Sequence, residues 1–216
     1  MKTLSQLCKK DPRIKKVYAW AKKKYDKIDL AQHNFEHVLR DLYRSLIIAD
    51  TEKGVNYSIL VPAVLLHDIG ATVGSYKDHV KNGIKIAGNI LPKFSYNPME
   101  IKKILHCIES HGKQPYDQIP PKTIEAKILS DSDLLEKSSI ASVFCTYRVQ
   151  YEVKKPLLEH IKERIKKYES RDERFYTKKA SQIDRGGLAE RMKHIYAVLN
   201  CLKRRKDFLV TEKDLW

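Results

Sequence analysis

The sequence predicts an all-α protein, on three observations. Apolar residues recur at three- and four-residue spacing almost from end to end. Helix-start and helix-stop residues punctuate that pattern, as where Asn97-Pro98 opens and Gly112 closes one segment. No stretch alternates apolar and polar residues in the two-residue rhythm of a strand, and no internal repeat stands out.

The elements follow in order. Residues 12–27 form a first, strongly basic helix. Asn34 caps a second, carrying Val38, Leu39, Leu42, Tyr43, Leu46 and Ala49 to about Lys53-Gly54. A third runs from Ile59 to Asp68 and stops at Gly70. Asp78 can cap a fourth, with Val80, Ile84, Ala87 and Leu91, ended by Pro92. Asn97 caps a fifth, whose Ile101, Ile104, Leu105 and Ile108 form one face. A loop with Pro115, Pro120 and Pro121 leads to a sixth, Thr123 to Lys137. A seventh covers Ile140 to Val153, and Pro156 opens another with Leu157, Leu158, Ile161 and Ile165. Residues 170–187 read as polar and irregular, and the last helix is amphipathic through Leu188, Met192, Ile195, Leu199 and Leu202. Residues 1–155 are expected as the main domain with its basic first helix, and 156–216 as a basic helical extension packed on it.

A chain of 216 residues is one domain, or one with an appendage, and can bury an adequate core. Lys and Arg number 42 against 27 acids, for a net charge of +15. The excess sits at the ends. Residues 1–30 hold ten Lys and Arg against three acids, and the middle, 31–150, holds fourteen against thirteen. A basic surface attracts polyanions such as nucleic acid, although a Lys-rich solvated surface is the plainer reading. Four cysteines at irregular spacing suggest reduced thiols rather than a disulfide framework. The first twenty residues carry no apolar signal region, and the longest apolar run is too short to span a membrane. A soluble cytoplasmic protein with no membrane partner is expected, its oligomeric state open.

The chemistry concentrates at Leu66-His67-Asp68, which ends the most apolar run of the chain, Ile59 to Leu66. A residue closing such a run is at least half buried, and a buried carboxylate is costly unless something positive compensates it. No Lys or Arg lies between Ile59 and Tyr76, so the partner comes from elsewhere in the chain or is a metal ion. Imidazole beside carboxylate is a common divalent-cation pair. Four more stretches place His or Asp near helix ends or inside the sixth helix: His33-x3-His37, His79, His106-x4-His111 and Asp131-Ser132-Asp133. A helical bundle can bring such residues together from facing helices.

In this order the motifs resemble those of the HD-domain superfamily of metal-dependent phosphohydrolases. The matching pieces are Phe35-Glu36-His37-Val38-Leu39-Arg40, Leu65-Leu66-His67-Asp68-Ile69-Gly70, His79-Val80-x2-Gly83, Ile108-x2-His111 and Ile128-Leu129-Ser130-Asp131-Ser132-Asp133-Leu134-Leu135. The resemblance implies an HD-like helical bundle and a divalent ion (Mn, Fe, Co, Ni, Zn or Mg) on His37, His67, Asp68 and one late Asp. Ser132-Asp133-Leu134-Leu135 fits the family's last motif and favours Asp133, whereas helical phase puts Asp131 on the face of Ile124, Ile128 and Leu135. Asp131 therefore stays as the alternative, or as a group orienting a ligand. His79 and His111 match the positions that hold a second metal in some relatives. Ala71 stands where many members carry a phosphate-binding lysine, and no Gly-Tyr-Pro follows His111.

By the same resemblance Asp68 and His111 are catalytic candidates, with Arg40 steadying phosphate oxygens. His33, Arg40, His79 and Lys77 are candidates on the substrate side. The implied activity is hydrolysis of a nucleotide or related phosphate ester by metal-activated water. The basic ends keep open a phosphodiesterase or nuclease acting on RNA or single-stranded DNA, and, beyond that, a non-catalytic basic helical binding protein.

Overall fold

The computed structural model describes residues 1–74, 78–111, 119–170 and 174–209, and among them no β-strand occurs. Pro115 of the expected loop lies outside the described residues.

The expected first helix, 12–27, is α2 (Pro12–Tyr25), and a short helix not read from the sequence, α1 (Leu4–Lys10), precedes it. A residue before proline is pushed out of the helical region, and Asp11 accordingly sits extended at φ −135°. It ends α1 and caps α2, accepting from the Arg13 backbone N–H. α3 (Phe35–Ala49) starts at Asn34, whose side chain accepts from the His37 N–H. α4 (Tyr57–Leu66) is buried from Ile59 through Leu66, as a helix apolar all round must be. It runs into His67, Asp68 and a 3-10 turn, Ile69–Val73. α5 (His79–Ile90) follows. Asp78 makes no capping bond there, because its backbone lies outside the extended region an N-cap needs. α6 (Pro98–His111) opens with a reciprocal box, in which the Glu100 N–H donates to Asn97 Oδ1 and the Asn97 N–H to Glu100 Oε2. Then come α7 (Ile124–Leu135), α8 (Ala141–Val153), α9 (Leu157–Glu169), α10 (Lys178–Asp184) and α11 (Gly187–Arg204).

The chain gathers into two compact units. The first, Met1–Leu134 with Phe175–Ala180, is built around α4, against which α2, α3 and α6 pack. α5 crosses the 3-10 turn so closely that a Cβ on Gly70 would lie 1.9 Å from the His79 carbonyl oxygen. The second unit is Leu135–Arg174 with Ser181–Trp216. There the apolar stripe of α11, with Ile195, Leu199 and Leu202, packs on Ile161, Ile165 and Tyr168 of α9. α8, which the sequence reading placed with the amino-terminal part, belongs to this unit and packs on α9 and α11. α10 falls within a stretch expected to be irregular. Its start is fixed by Thr177, whose hydroxyl accepts from the Ala180 N–H. Among the described residues no helix is long and apolar enough to cross a membrane.

Candidate metal centre

Five elements of the first unit deliver side chains to one buried point. α3 carries His37 one turn past its capped start. His67 and Asp68 close α4, His79 opens α5, His111 closes α6, and Asp133 comes from the last turn of α7. A bond between the Ser45 and Ser132 hydroxyls, 2.7 Å, ties α3 to α7 beside Asp133.

Asp68 is the hinge of the arrangement. Its Oδ2 lies 3.2 Å from His37 Nε2 and 3.3 Å from His67 Nε2. Its Oδ1 lies 3.5 Å from His79 Nε2 and 3.4 Å from His111 Nε2. On the first side Asp133 Oδ1 is 3.8 Å and Asp41 Oδ2 is 3.3 Å from His37 Nε2. The two Nε2 atoms of His37 and His67 are themselves 3.4 Å apart.

The tautomers follow from the backbone. His67 Nδ1 meets the Val64 carbonyl at 2.8 Å, and His111 Nδ1 meets the Ile108 carbonyl. A carbonyl only accepts, so each Nδ1 carries hydrogen and each neutral ring turns the Nε2 lone pair inwards. The point where these atoms meet is thus lined by imidazole lone pairs and carboxylate oxygens, all acceptors, within a nearly dry core. Such a chamber needs a cation or bound protons. The spacings suit a cation. Donor atoms about 2.1 Å from a metal stand about 3.0 Å apart in octahedral and about 3.4 Å apart in tetrahedral geometry. Two sets of residues, His37, Asp41, His67 and Asp133, and His67, Asp68 and His111, each offer ligand atoms lying within 4.8 Å of one another. The residues therefore fit a divalent ion.

Titration follows the same logic. Burial acts most strongly on Asp68 and opposes its ionisation. The imidazoles of His67 and His33 outweigh it and hold the carboxyl well below its ordinary pKa. Burial likewise opposes protonation of His67, but Asp68 and Asp41 outweigh it and raise its pKa. Burial, helped by Asp133, lifts the Asp41 carboxyl against His37 and His67. Without metal, then, His67 holds its proton more tightly than a free imidazole does, and a divalent ion must displace it. Metal affinity is expected to rise with pH until His67 is neutral, by about tenfold per pH unit for each proton displaced. Calorimetric titration at several pH values, in buffers of different ionisation enthalpy, would register both the slope and the released protons.

The HD domain family matches residues 34–138, a span that holds every residue of this cluster from His37 to Asp133. These residues form an HD domain. Solved structures share the fold. A predicted HD superfamily hydrolase from an uncultured Thermotogales bacterium is 20% identical, with a TM-score of 0.62 over 92% of this chain and 98% of its own. The Lin1889 protein of Listeria innocua is 20% identical, with a TM-score of 0.58 over 94% and 99%. A Lactobacillus plantarum protein is 15% identical, with a TM-score of 0.63 over 96% and 99%. No curated protein matches the sequence.

Within the HD fold the residues singled out from sequence sort clearly. His37, His67, Asp68, His79, His111 and Asp133 come together. Asp131, the alternative ligand, is engaged elsewhere. Its Oδ1 accepts from the Tyr176 N–H, and its Oδ2 accepts from the Thr177 N–H and hydroxyl, so it secures the segment entering α10. His33 is buried, its ring centroid 6.0 Å from those of both His37 and His79, and so lines the cluster rather than the surface. Arg40 is partly exposed one turn beyond His37, while Lys77 lies outside the described residues. His106, which falls opposite the apolar face of its helix, is half-buried and accepts from the Lys122 N–H. The residue missed as a site member is Asp41, wholly buried beside His37 and His67. Its spacing of four from His37 was the available signal, because that spacing puts both on one helix face.

Proposed function

We propose that this HD protein is a metal-dependent phosphohydrolase acting on a nucleotide or a related small phosphate ester. The observation that carries the reading is Asp68, one carboxylate presenting Oδ2 to His37 and His67 and Oδ1 to His79 and His111. His37, His67, Asp68 and Asp133 would hold a divalent ion, and His79 and His111 could share a second with Asp68. Bound there, the metal supplies an acidified water and positive charge for phosphate oxygens.

The chain's own groups do the rest. Asp68 stays ionised and keeps the imidazoles converging. His111, locked as the Nδ1–H tautomer, offers Nε2 as a proton acceptor beside the cluster. Arg40 supplies a cation one turn from His37, suited to a phosphate oxygen. His33, His79 and Lys77 are the further candidates for contact with substrate. All four thiols are free, which agrees with a cytoplasmic protein.

One observation favours a second reading. α2 exposes Lys15, Lys16, Lys22, Lys23 and Lys24, a stripe suited to the phosphates of RNA or single-stranded DNA. The deciding test loads the protein in turn with Mn, Fe, Co, Ni, Zn and Mg and offers nucleoside mono- and triphosphates and a labelled oligonucleotide. Phosphate or pyrophosphate release from mononucleotides, abolished by chelation, is the expected result. Salt-sensitive cleavage of the oligonucleotide alone would replace it with the nuclease. No turnover with any metal, and a melting temperature unmoved by chelation, would leave a non-catalytic helical binding protein.

A further inference from the structure

We propose that Asp41 is itself a metal ligand of the half-site formed by His37, His67 and Asp133, and that it shifts that half-site towards oxygen-preferring ions such as Mn2+ relative to Zn2+. The inference rests on the metal-site reading above.

Asp41 stands four residues after His37 on α3, so the two side chains leave the same helix face. It is completely buried. Its two oxygens differ in their surroundings. Oδ1 accepts from the Arg44 guanidinium at 3.0 Å. Oδ2 is buried and accepts no hydrogen bond of acceptable geometry. A carboxylate oxygen left so in a dry interior is costly unless a positive charge meets it. That oxygen lies 3.3 Å from His37 Nε2 and 3.6 Å from His67 Nε2. With His37, His67 and Asp133 it completes a quartet whose donor atoms all fall within 4.8 Å of one another.

A carboxylate near a ligating histidine often only orients the ring, and then it takes the ring nitrogen remote from the metal. Asp41 does not. It approaches Nε2 of both rings, the nitrogens that also meet Asp68 Oδ2. Arg44 occupies Oδ1, which leaves a single oxygen to present and makes the contact monodentate. The half-site then holds three carboxylates, Asp41, Asp68 and Asp133, against two imidazoles. Such an oxygen-rich set suits Mn2+ and Mg2+, whereas a set richer in nitrogen gives Zn2+ a larger advantage.

The test is Asp41→Asn, which keeps size and shape, titrated with Mn2+ and with Zn2+ by calorimetry beside the wild type. Mn2+ electron paramagnetic resonance reports the ligand field, and circular dichroism the fold. The expected result is a weaker Mn2+ site, by at least the roughly 10–100-fold that loss of even an outer partner costs, with a smaller loss for Zn2+ and an altered Mn2+ spectrum. If the Asn variant does not fold, Asp41→Ser takes its place in the same titrations with the same expectation. Mn2+ affinity within twofold of wild type and an unchanged spectrum would overturn the assignment of Asp41 while leaving the metal site standing. A wild type that takes up neither ion would overturn the metal-site reading, and this inference with it.

Discussion

Asp68→Asn is expected to abolish metal uptake and to lower kcat by at least about 1000-fold, while the far-ultraviolet circular dichroism of the protein stays helical. Asp68 is the group on which the two halves of the centre depend, since its oxygens stand 3.2 to 3.5 Å from four imidazoles. An amide of the same shape keeps the packing around α4 but removes the charge and replaces one acceptor with an N–H donor, whichever way it turns. Either orientation points that donor at two inward lone pairs. Folding without metal is affected in a definite direction. The Asp68 pKa is depressed in the fold, so its ionised form contributes stability above the ordinary carboxylate range, and that stability is lost as pH falls through the lowered value. The metal-free Asn variant is therefore less stable than wild type at neutral pH, and the gap closes in acid. His67→Ala differs, because it also empties space in a core where His67 is fully buried, and it lowers the melting temperature at every pH. Metal content by elemental analysis, kcat and melting curves at several pH values check these expectations together. An Asn variant retaining its metal and turning over within tenfold of wild type would place the chemistry elsewhere.

Most of the helical frame and much of the centre were legible in the sequence, and the exceptions have separate causes. Asn34 and Asn97 cap as their side chains predict, because short polar groups before an apolar periodic run have few other uses. The start of α2 at Pro12 was read, whereas α1, only seven residues long, is too short to show a helical period. Helical phase favoured Asp131 where the motif favoured Asp133, and phase is a weak guide here for a tertiary reason. α7 is buried on nearly all sides, with Ser130, Asp131, Ser132 and Leu134 all inside, so phase relative to an apolar face decides nothing. Their contacts differ. Asp131 secures the Thr177 segment, and Asp133 reaches His37. Asp41 was lost to the same kind of ambiguity. A polar stripe on an amphipathic helix reads alike whether it meets water or a buried cluster, and only the imidazole from α4 tells them apart.

Gly70→Ala is expected to unfold or loosen the amino-terminal unit and to remove His79 from the centre, whereas Gly83→Ala, in the helix packed against it, is tolerated. The contrast comes from what each new methyl would meet. At Gly70 it would lie 1.9 Å from the His79 carbonyl oxygen and 2.5 Å from the Gly83 nitrogen. Both are backbone atoms, which no rotamer change can move aside. Reaching ordinary contact means parting the 3-10 turn from the start of α5 by more than 1 Å, so the cost lies at or above the ~1–3 kcal/mol typical of overpacking. His79 is the first residue of α5 and its Nε2 stands 3.5 Å from Asp68 Oδ1, so that separation takes the ring with it. At Gly83 the nearest atoms are 3.5 to 3.7 Å away, an ordinary contact. Gly83 lies inside α5, where alanine is favoured over glycine by about 0.5–1 kcal/mol, so the variant should match or exceed wild-type stability. Melting curves rank the three proteins, and titration calorimetry with Mn2+ reports what each retains. If His79 serves a second cation, a folded Gly70→Ala protein takes up fewer equivalents than Gly83→Ala. Equal melting temperatures for the two variants would mean that the close crossing of the turn and α5 does not hold His79 in place.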